Sequence, residues 1–533
     1  MSRTLPPSDE GASGQGRMVN WRQAFVLVFL IFTVSLAYFP SLAANVELND
    51  DHTILRWAHR TQIHPQIPDP PLGLSRFLHD SFGRGRCLPF CHVVWYAQAL
   101  TFGDRIPVYR IFWMVVAVTT SVLFYFIANR LLNSDFLSLL FALSVVLCPA
   151  AADVWPHLIR GESIGLFLIA ITLFSVVGND KERLILQATG LLSFLLACLT
   201  KESFFLLSPA IAGLSWSWPQ TPEGNQSRVR RLMMPLIYLG AGFLLGVVIL
   251  LNTLWAGNES HGGRSLQQGM FLILARLFSL QGITGSLLSN SLYMIPFLAG
   301  LSLITFQSRK VNRKTIARTA AFCALWVIPQ LLIYSTRPDY SLRYVFPALL
   351  IPLFLNIWGL KQFTVCSSRW PSRCIATLMA LWLIRCGQIQ FFEARNLAEE
   401  TKAFGTAIRI VTEHMRNQNQ PALIVGPPKT EHSLSVLVAL AASTGADTPV
   451  FLYQPDGTDR NWFGFENRIV SAGFDGSLFS CALDLNTNSR ALDRQFQNWN
   501  LVPVPFRRSY LSLRKGGVEF IDASFVVRLP QKQ

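Results

Sequence analysis

The chain has 533 residues, 51% apolar and 14% charged, with a mean hydropathy of +0.35 and a formal net charge of +15. An average soluble domain carries about 25% charged residues, so this deficit excludes disorder and an ordinary soluble enzyme and points to a polytopic membrane protein. The basic excess would suggest nucleic acid in a soluble chain; here it is expected from basic loops on one membrane face, with no nucleic-acid partner.

Residues 1–22, rich in Ser, Gly and Pro toward the start, read as a disordered cytoplasmic leader. Apolar runs suited to about 30 Å of hydrocarbon follow at 23–43, 108–128, 136–151, 163–178, 184–199, 203–217, 232–254, 287–306, 318–335, 345–361 and 375–391. They predict an α-helical polytopic membrane domain of about eleven spans over 23–391. The run at 23–43 is too long for a cleaved signal, and no small-residue cleavage site follows it. Shorter stretches at 91–102 and 270–280, broken by His92, Gln98 and Arg276, read as interfacial helices.

Lys and Arg cluster at alternate turns, as at Arg228, Arg230 and Arg231 or Arg309, Lys310, Arg313 and Lys314. This bias places the N-terminus in the cytoplasm and, after an odd number of spans, residues 392–533 outside. Two long extracytoplasmic pieces result, a first loop at 44–107 and the C-terminal region. In the latter, a helical pattern at 394–416, the run Ala422–Gly426, a helix at 431–444 and Val450–Tyr453 suggest a small α/β domain.

The chemistry-bearing residues gather at the outward ends of the spans. After the first span stands Asn49-Asp50-Asp51-His52; adjacent carboxylates repel, and burial near the interface would raise the pKa of one. Such a pair suits a general base, and as hard oxygen ligands it also suits a divalent cation, which nothing in the sequence requires. Three further outward turns carry both signs of charge: Arg160-Gly161-Glu162, Lys201-Glu202, and Arg337-Pro338-Asp339 with Arg343. Charges at a membrane boundary are costly unless paired or functional. Their recurrence on one face points to an anionic ligand, with Arg as a bidentate clamp and Lys as a point charge for a phosphate. A lipid-borne phosphate entering sideways from the bilayer, beside carboxylates able to deprotonate a hydroxyl, matches glycosyl transfer from a polyprenyl-phosphate sugar.

Together these residues resemble the GT-C superfamily of integral membrane glycosyltransferases, in the group containing protein O-mannosyltransferases and lipid A aminoarabinose transferases. The likeness rests on the Asp50-Asp51 pair, on Gly83-Arg-Gly-Arg-Cys-Leu-Pro89, similar to G-R-x-R-P-L, on Arg160-Gly161-Glu162, similar to G-R-[AG]-[DE], and on the Lys201-Glu202 turn. Cys87 intervenes before Leu88-Pro89, and Arg160-Gly161 inverts the usual order. No Trp-Trp-Asp signature is present, which argues against en bloc oligosaccharide transfer to Asn.

The resemblance implies that Asp50 or Asp51 is the catalytic base, that Lys201, Arg337 and Arg343 hold the donor phosphate, and that Arg160, Glu162, Glu202 and His52 have positioning roles. It implies a polyprenyl-phosphate sugar as donor, an extracytoplasmic glycan, lipid or protein as acceptor, membrane lipids as surroundings, and inversion at the anomeric carbon. The expected location is a bacterial inner membrane, with residues 392–533 periplasmic. A lipid-linked glycan transporter or flippase would instead show charges near the bilayer midplane in two matching halves. A polysaccharide polymerase or ligase would carry its long outer loop later in the chain.

Overall fold

The helix α1, Trp21–Tyr38, tightens into a 3₁₀ turn at Phe39–Ala43. Pro40 forces the change, because it has no N–H to give the Leu36 carbonyl and its ring crowds that position. The computed structural model describes residues 21–45, 81–82, 88–158, 160–178, 183–217, 228–255, 325–326, 342–366, 369–425, 450–453, 469–470, 478–484, 498–512 and 517–530.

The helices that follow are α2 (Pro89–Phe102), α3 (Ile106–Leu132), α4 (Asp135–Leu147), α5 (Gly161–Val176) and α6 (Arg183–Cys198). Then come α7 (Ser208–Ser217), α8 (Arg228–Trp255), α9 (Leu342–Cys366) and α10 (Arg369–Gln418). Short 3₁₀ turns at Pro149–Asp153 and Glu202–Leu207 extend the chain after α4 and before α7. Nine of the eleven expected spans coincide with described helices or with a helix plus its 3₁₀ extension, while 287–306 and nearly all of 318–335 fall outside the described residues. Trp21–Ala43, Ile106–Leu132, Leu232–Ile249 and Arg373–Gln418 are long and apolar enough to cross a membrane, by length and composition. Several of the others are shorter, with 13 residues in α4 and 16 in α5, about 20–24 Å of helix.

Local signals explain most of the boundaries. Ser134 caps α4 through its hydroxyl, which accepts from Leu137 N–H at 3.4 Å. Asn133 ends α3 in the left-handed conformation at φ 50°, where Asn is tolerated. The C-terminal carbonyls of α4 are satisfied from another helix: Gln390 Nε2 of α10 donates to Leu147 O at 3.1 Å and to Cys148 O at 2.8 Å. The Tyr38 hydroxyl donates to Val146 O at 2.5 Å. In hydrocarbon no water can take these roles, so a buried helix end needs such partners.

One end of the bundle is joined by Tyr125 and Asn129, whose side chains both donate to Asp135 Oδ1, and by Arg130, which donates to Phe174 O at 3.1 Å. The residues after α1, α4 and α6 gather at the opposite end.

Helix α10 departs from expectation. A span at 375–391 and a separate helix at 394–416 were predicted, whereas one uninterrupted helix of 50 residues runs through both, about 75 Å long. Between them lies only Phe392-Glu393, with neither Pro nor Gly to break it. The helix carries the bundle's packing directly into a C-terminal sheet.

That sheet has β1 (Ala422–Val425), β2 (Val450–Tyr453), β3 (Ile469–Val470), β4 (Cys481–Asp484), β5 (Trp499–Ser512) and β6 (Gly517–Pro530), in the order β3-β2-β1-β4-β6-β5. Strand β1 is parallel to β2 and β4, while β5 and β6 form a long antiparallel hairpin. All four residues of β1 are buried, as a central strand covered on both faces requires. Pro503 and Pro505 are accommodated because β5 lies at the edge, with β6 as its neighbour among the described strands. Phe404 of α10 meets Phe525 at 6.0 Å, and Phe506 stacks on Phe525 at 5.1 Å, so one apolar core runs from bundle to sheet. Within it, burial pushes the Cys481 thiol up to about 12, which keeps it protonated and unreactive at neutral pH. The α/β character expected after 392 is therefore present; the stretch 431–444 lies outside the described residues.

Candidate active site

Two tight turns meet at the end of the bundle where α1, α4 and α6 finish. The first, before α5, carries Arg160 in extended backbone and Glu162 in the helix's opening turn, where the helix dipole favours an anion. Ser163 secures this turn: its N–H donates to Arg160 O at 3.2 Å and its hydroxyl to Val154 O at 3.1 Å. The second turn, Leu199-Thr200-Lys201, closes α6 through Thr200 N–H and Lys201 N–H, both donating to Ala197 O.

The turns are in backbone contact. A Cβ on Gly161 would sit 3.0 Å from the Thr200 carbonyl oxygen and 3.4 Å from Cys91 Sγ of α2. Phe90 N–H donates to Leu199 O at 3.1 Å, which packs α2 against the same junction. One turn into α5, Gly165 leaves the space taken by the buried ring of Phe204. Gly161→Ala is therefore expected to force the two turns apart and to destabilise by about 1–3 kcal/mol. A thermal melt of the purified variant measures this, and an unchanged melting temperature would refute the close approach.

Across the junction Lys201 Nζ forms an ion pair with Glu162 Oε1. Glu162 is 3% exposed, Lys201 8% and Arg160 5%. Three ionisable side chains are thus withdrawn from solvent within one apolar bundle, where charges persist only if paired or functional. The arrangement supplies two cations and one carboxylate in a low-dielectric setting, which can bind an anion and compensate its charge.

Sequence reasoning placed Lys201 with the donor phosphate and Arg160 and Glu162 in positioning roles; the structure brings all three into the same pair of turns. The Glu202 residue opens the following 3₁₀ turn, and Arg343 lies in the first turn of α9. Asp50, Asp51, His52 and Arg337 lie outside the described residues. Asn45, five positions before Asp50, is held in place at this same end: its N–H donates to Thr401 Oγ1 of α10 at 2.9 Å.

Other contacts here escaped sequence reasoning. Arg110, counted from sequence only as a membrane-edge charge, is 2% exposed and donates to Asn45 O at 2.7 Å and to Pro156 O. His157 lies 4.0 Å from Asp153, and Arg508 of β5 bonds Glu400 of α10 at 2.6 Å. The sheet is thus tied to the helix that rises beside the site. The contacts of Arg110 and Arg508 join residues far apart in sequence and carry no local motif.

Comparison with solved structures finds a likeness along nearly the whole chain. ArnT from Cupriavidus metallidurans, crystallised in the apo state, superposes with a TM-score of 0.50 over 96% of this chain and 100% of its own, at 12% identity. The chain has the fold of ArnT. The match extends through nearly the whole chain, sheet included. Neither a protein-family model nor a curated protein sequence matches the chain. At 12% identity the likeness to ArnT speaks to fold, so chemistry has to be argued from the residues.

Proposed function

We propose that the protein is an integral membrane glycosyltransferase of the GT-C type, moving a monosaccharide from a polyprenyl phosphate to a hydroxyl of an extracytoplasmic glycan, lipid or protein. The observation that carries this reading is the buried Arg160, Glu162 and Lys201 constellation at one end of an ArnT-like bundle. Three charged side chains in an apolar bundle are costly, and their composition suits a phosphate leaving group.

In the proposed reaction the acceptor oxygen attacks the anomeric carbon from the face opposite the phosphate. The new glycosidic bond forms as the bond from that carbon to the phosphate oxygen breaks, which inverts the configuration. The acceptor proton passes to the carboxylate of Asp50 or Asp51. Polyprenyl phosphate departs against Lys201, Arg337 and Arg343, whose charge offsets that developing on its oxygen. Glu162 holds Lys201 through their ion pair, and Arg160, Glu162, Glu202 and His52 take positioning roles toward the donor or the carboxylate pair. A divalent cation would find hard oxygen ligands in Asp50 and Asp51, but base and cations complete the reaction without one.

The orientation that accompanies this reading puts the N-terminus in the cytoplasm and the sheet on the outer side, in a bacterial inner membrane. Purified full-length protein in vesicles, given labelled polyprenyl-phosphate sugar, tests the reading. Label joined covalently to a hydroxyl acceptor supports a transferase. Label that merely becomes enclosed within the vesicle, with the donor intact, would replace it with a flippase.

A further inference from the structure

Among the described residues, the most deeply buried charge at this end of the bundle belongs to none of the outward motifs. Arg110 lies in the first turns of α3, 2% exposed, and its guanidinium reaches two backbone carbonyls from different parts of the chain. One nitrogen donates to Asn45 O at 2.7 Å, and the other donates to Pro156 O. The Asn45 peptide is anchored from its other side as well, through the Thr401 hydroxyl, which itself donates to Leu397 O at 2.8 Å. Pro156 stands four residues before Arg160, in a segment whose far end is fastened by Ser163 to Val154.

We propose that Arg110 is a positioning residue: its guanidinium, by bridging the Asn45 and Pro156 carbonyls, sets the distance between the exit of α1 and the Arg160–Glu162 turn. The role rests on the glycosyltransferase reading, since the spacing matters to reaction only if both segments serve one site. Arginine suits it because the planar fork presents donors on separate nitrogens, whereas a lysine ammonium concentrates its donors on one atom. Carbonyls that end short segments near the membrane lack helix partners, and one cation satisfies both. A long apolar side chain would fill the volume but leave the two segments untied.

The test uses full-length protein in nanodiscs with Arg110→Met and Arg110→Lys. The first readout is independent of activity: a cysteine pair introduced at positions 45 and 157 is oxidised, and the crosslinked peptide is followed by mass mapping. The crosslink forms with Arg110 present and is lost in Arg110→Met. The second readout is kinetic, with kcat for transfer falling about 100-fold as the two segments drift by an ångström or so, while the donor KM stays within a few-fold. Arg110→Lys keeps the charge and the fold and still loses kcat, so it decides the matter if Arg110→Met fails to accumulate. A persistent crosslink in both variants, or a lost crosslink with wild-type kcat, overturns the proposal. If wild-type protein transfers no sugar, the functional reading fails while the crosslink still judges the bridge.

Discussion

Replacing Asp50 and Asp51 together by Asn is expected to abolish sugar transfer, with a loss of at least about 100- to 10,000-fold, the usual contribution of a positioned general base. Asn keeps the size and polarity of Asp but cannot accept the acceptor's proton, so the fold and the membrane level of the protein should be unchanged. The single variants apportion the role: the residue acting as base loses nearly everything, and its neighbour loses less, through the altered field on the remaining carboxylate. Initial rates with labelled donor, alongside quantified protein in the membrane fraction, provide the measurement. Full activity in both single variants and in the double variant would sink the base assignment. Retention of activity in EDTA would place the pair's function in proton transfer, and its loss would point to a cation held there.

The second large effect concerns the Lys201–Glu162 ion pair, where stability and chemistry can be separated. Lys201→Met strips a carboxylate that is 3% exposed of its cation. Removal of one partner of a buried pair costs about 3–5 kcal/mol, because the remaining buried charge loses its direct counterion. Glu162→Leu alone leaves the reciprocal problem at Lys201. In the double variant Lys201→Met, Glu162→Leu both charges are gone and similar volume remains, an exchange that is often neutral for stability. The double variant is therefore expected to recover the wild-type melting temperature while staying about 100- to 1,000-fold down in transfer, the scale for a lost electrostatic contact to a developing anion. Recovery of both stability and activity would mean that the pair is only a structural staple. A double variant that stays destabilised would instead indicate that the ion pair itself holds the two turns together.

How much of this was legible beforehand differs by element. The helices α1, α3, α5, α6 and α8 follow from hydropathy, because a span must present an apolar surface along its length whatever it packs against. Helix α2 was legible as well, as a shorter run broken by His92 and Gln98. The continuity of α10 was less accessible, since its apolar half reads as a span and its amphipathic half as part of a soluble domain. Only the backbone reveals that Phe392-Glu393 does not interrupt it. The hairpin of β5 and β6 is absent from the sequence reading; Pro503 and Pro505 disfavour a strand there and are tolerated at a sheet edge, which is a property of the assembled sheet.

The candidate site divides in the same way. Charged residues at the turns stand out against apolar runs, so Arg160, Glu162 and Lys201 could be singled out by residue type and by their place between runs. Arg110 could not, because it sits at the start of an ordinary apolar helix and its importance lies in two carbonyls that the fold delivers to it. Gln390 is a similar case, a polar residue near a span end whose use in capping α4 depends on a neighbour more than 200 residues away.

The sequence by itself determined that this is a helical membrane protein with charged turns between its apolar runs and an α/β region at its C-terminus. Those features depend on composition and periodicity, which each segment carries with it. Tertiary structure decided which charges meet, that Lys201 is neutralised by Glu162, and that the exits of α1 and α4 are tied by one guanidinium. Pairings between distant turns depend on how helices of unequal length pack, and no single segment encodes that packing.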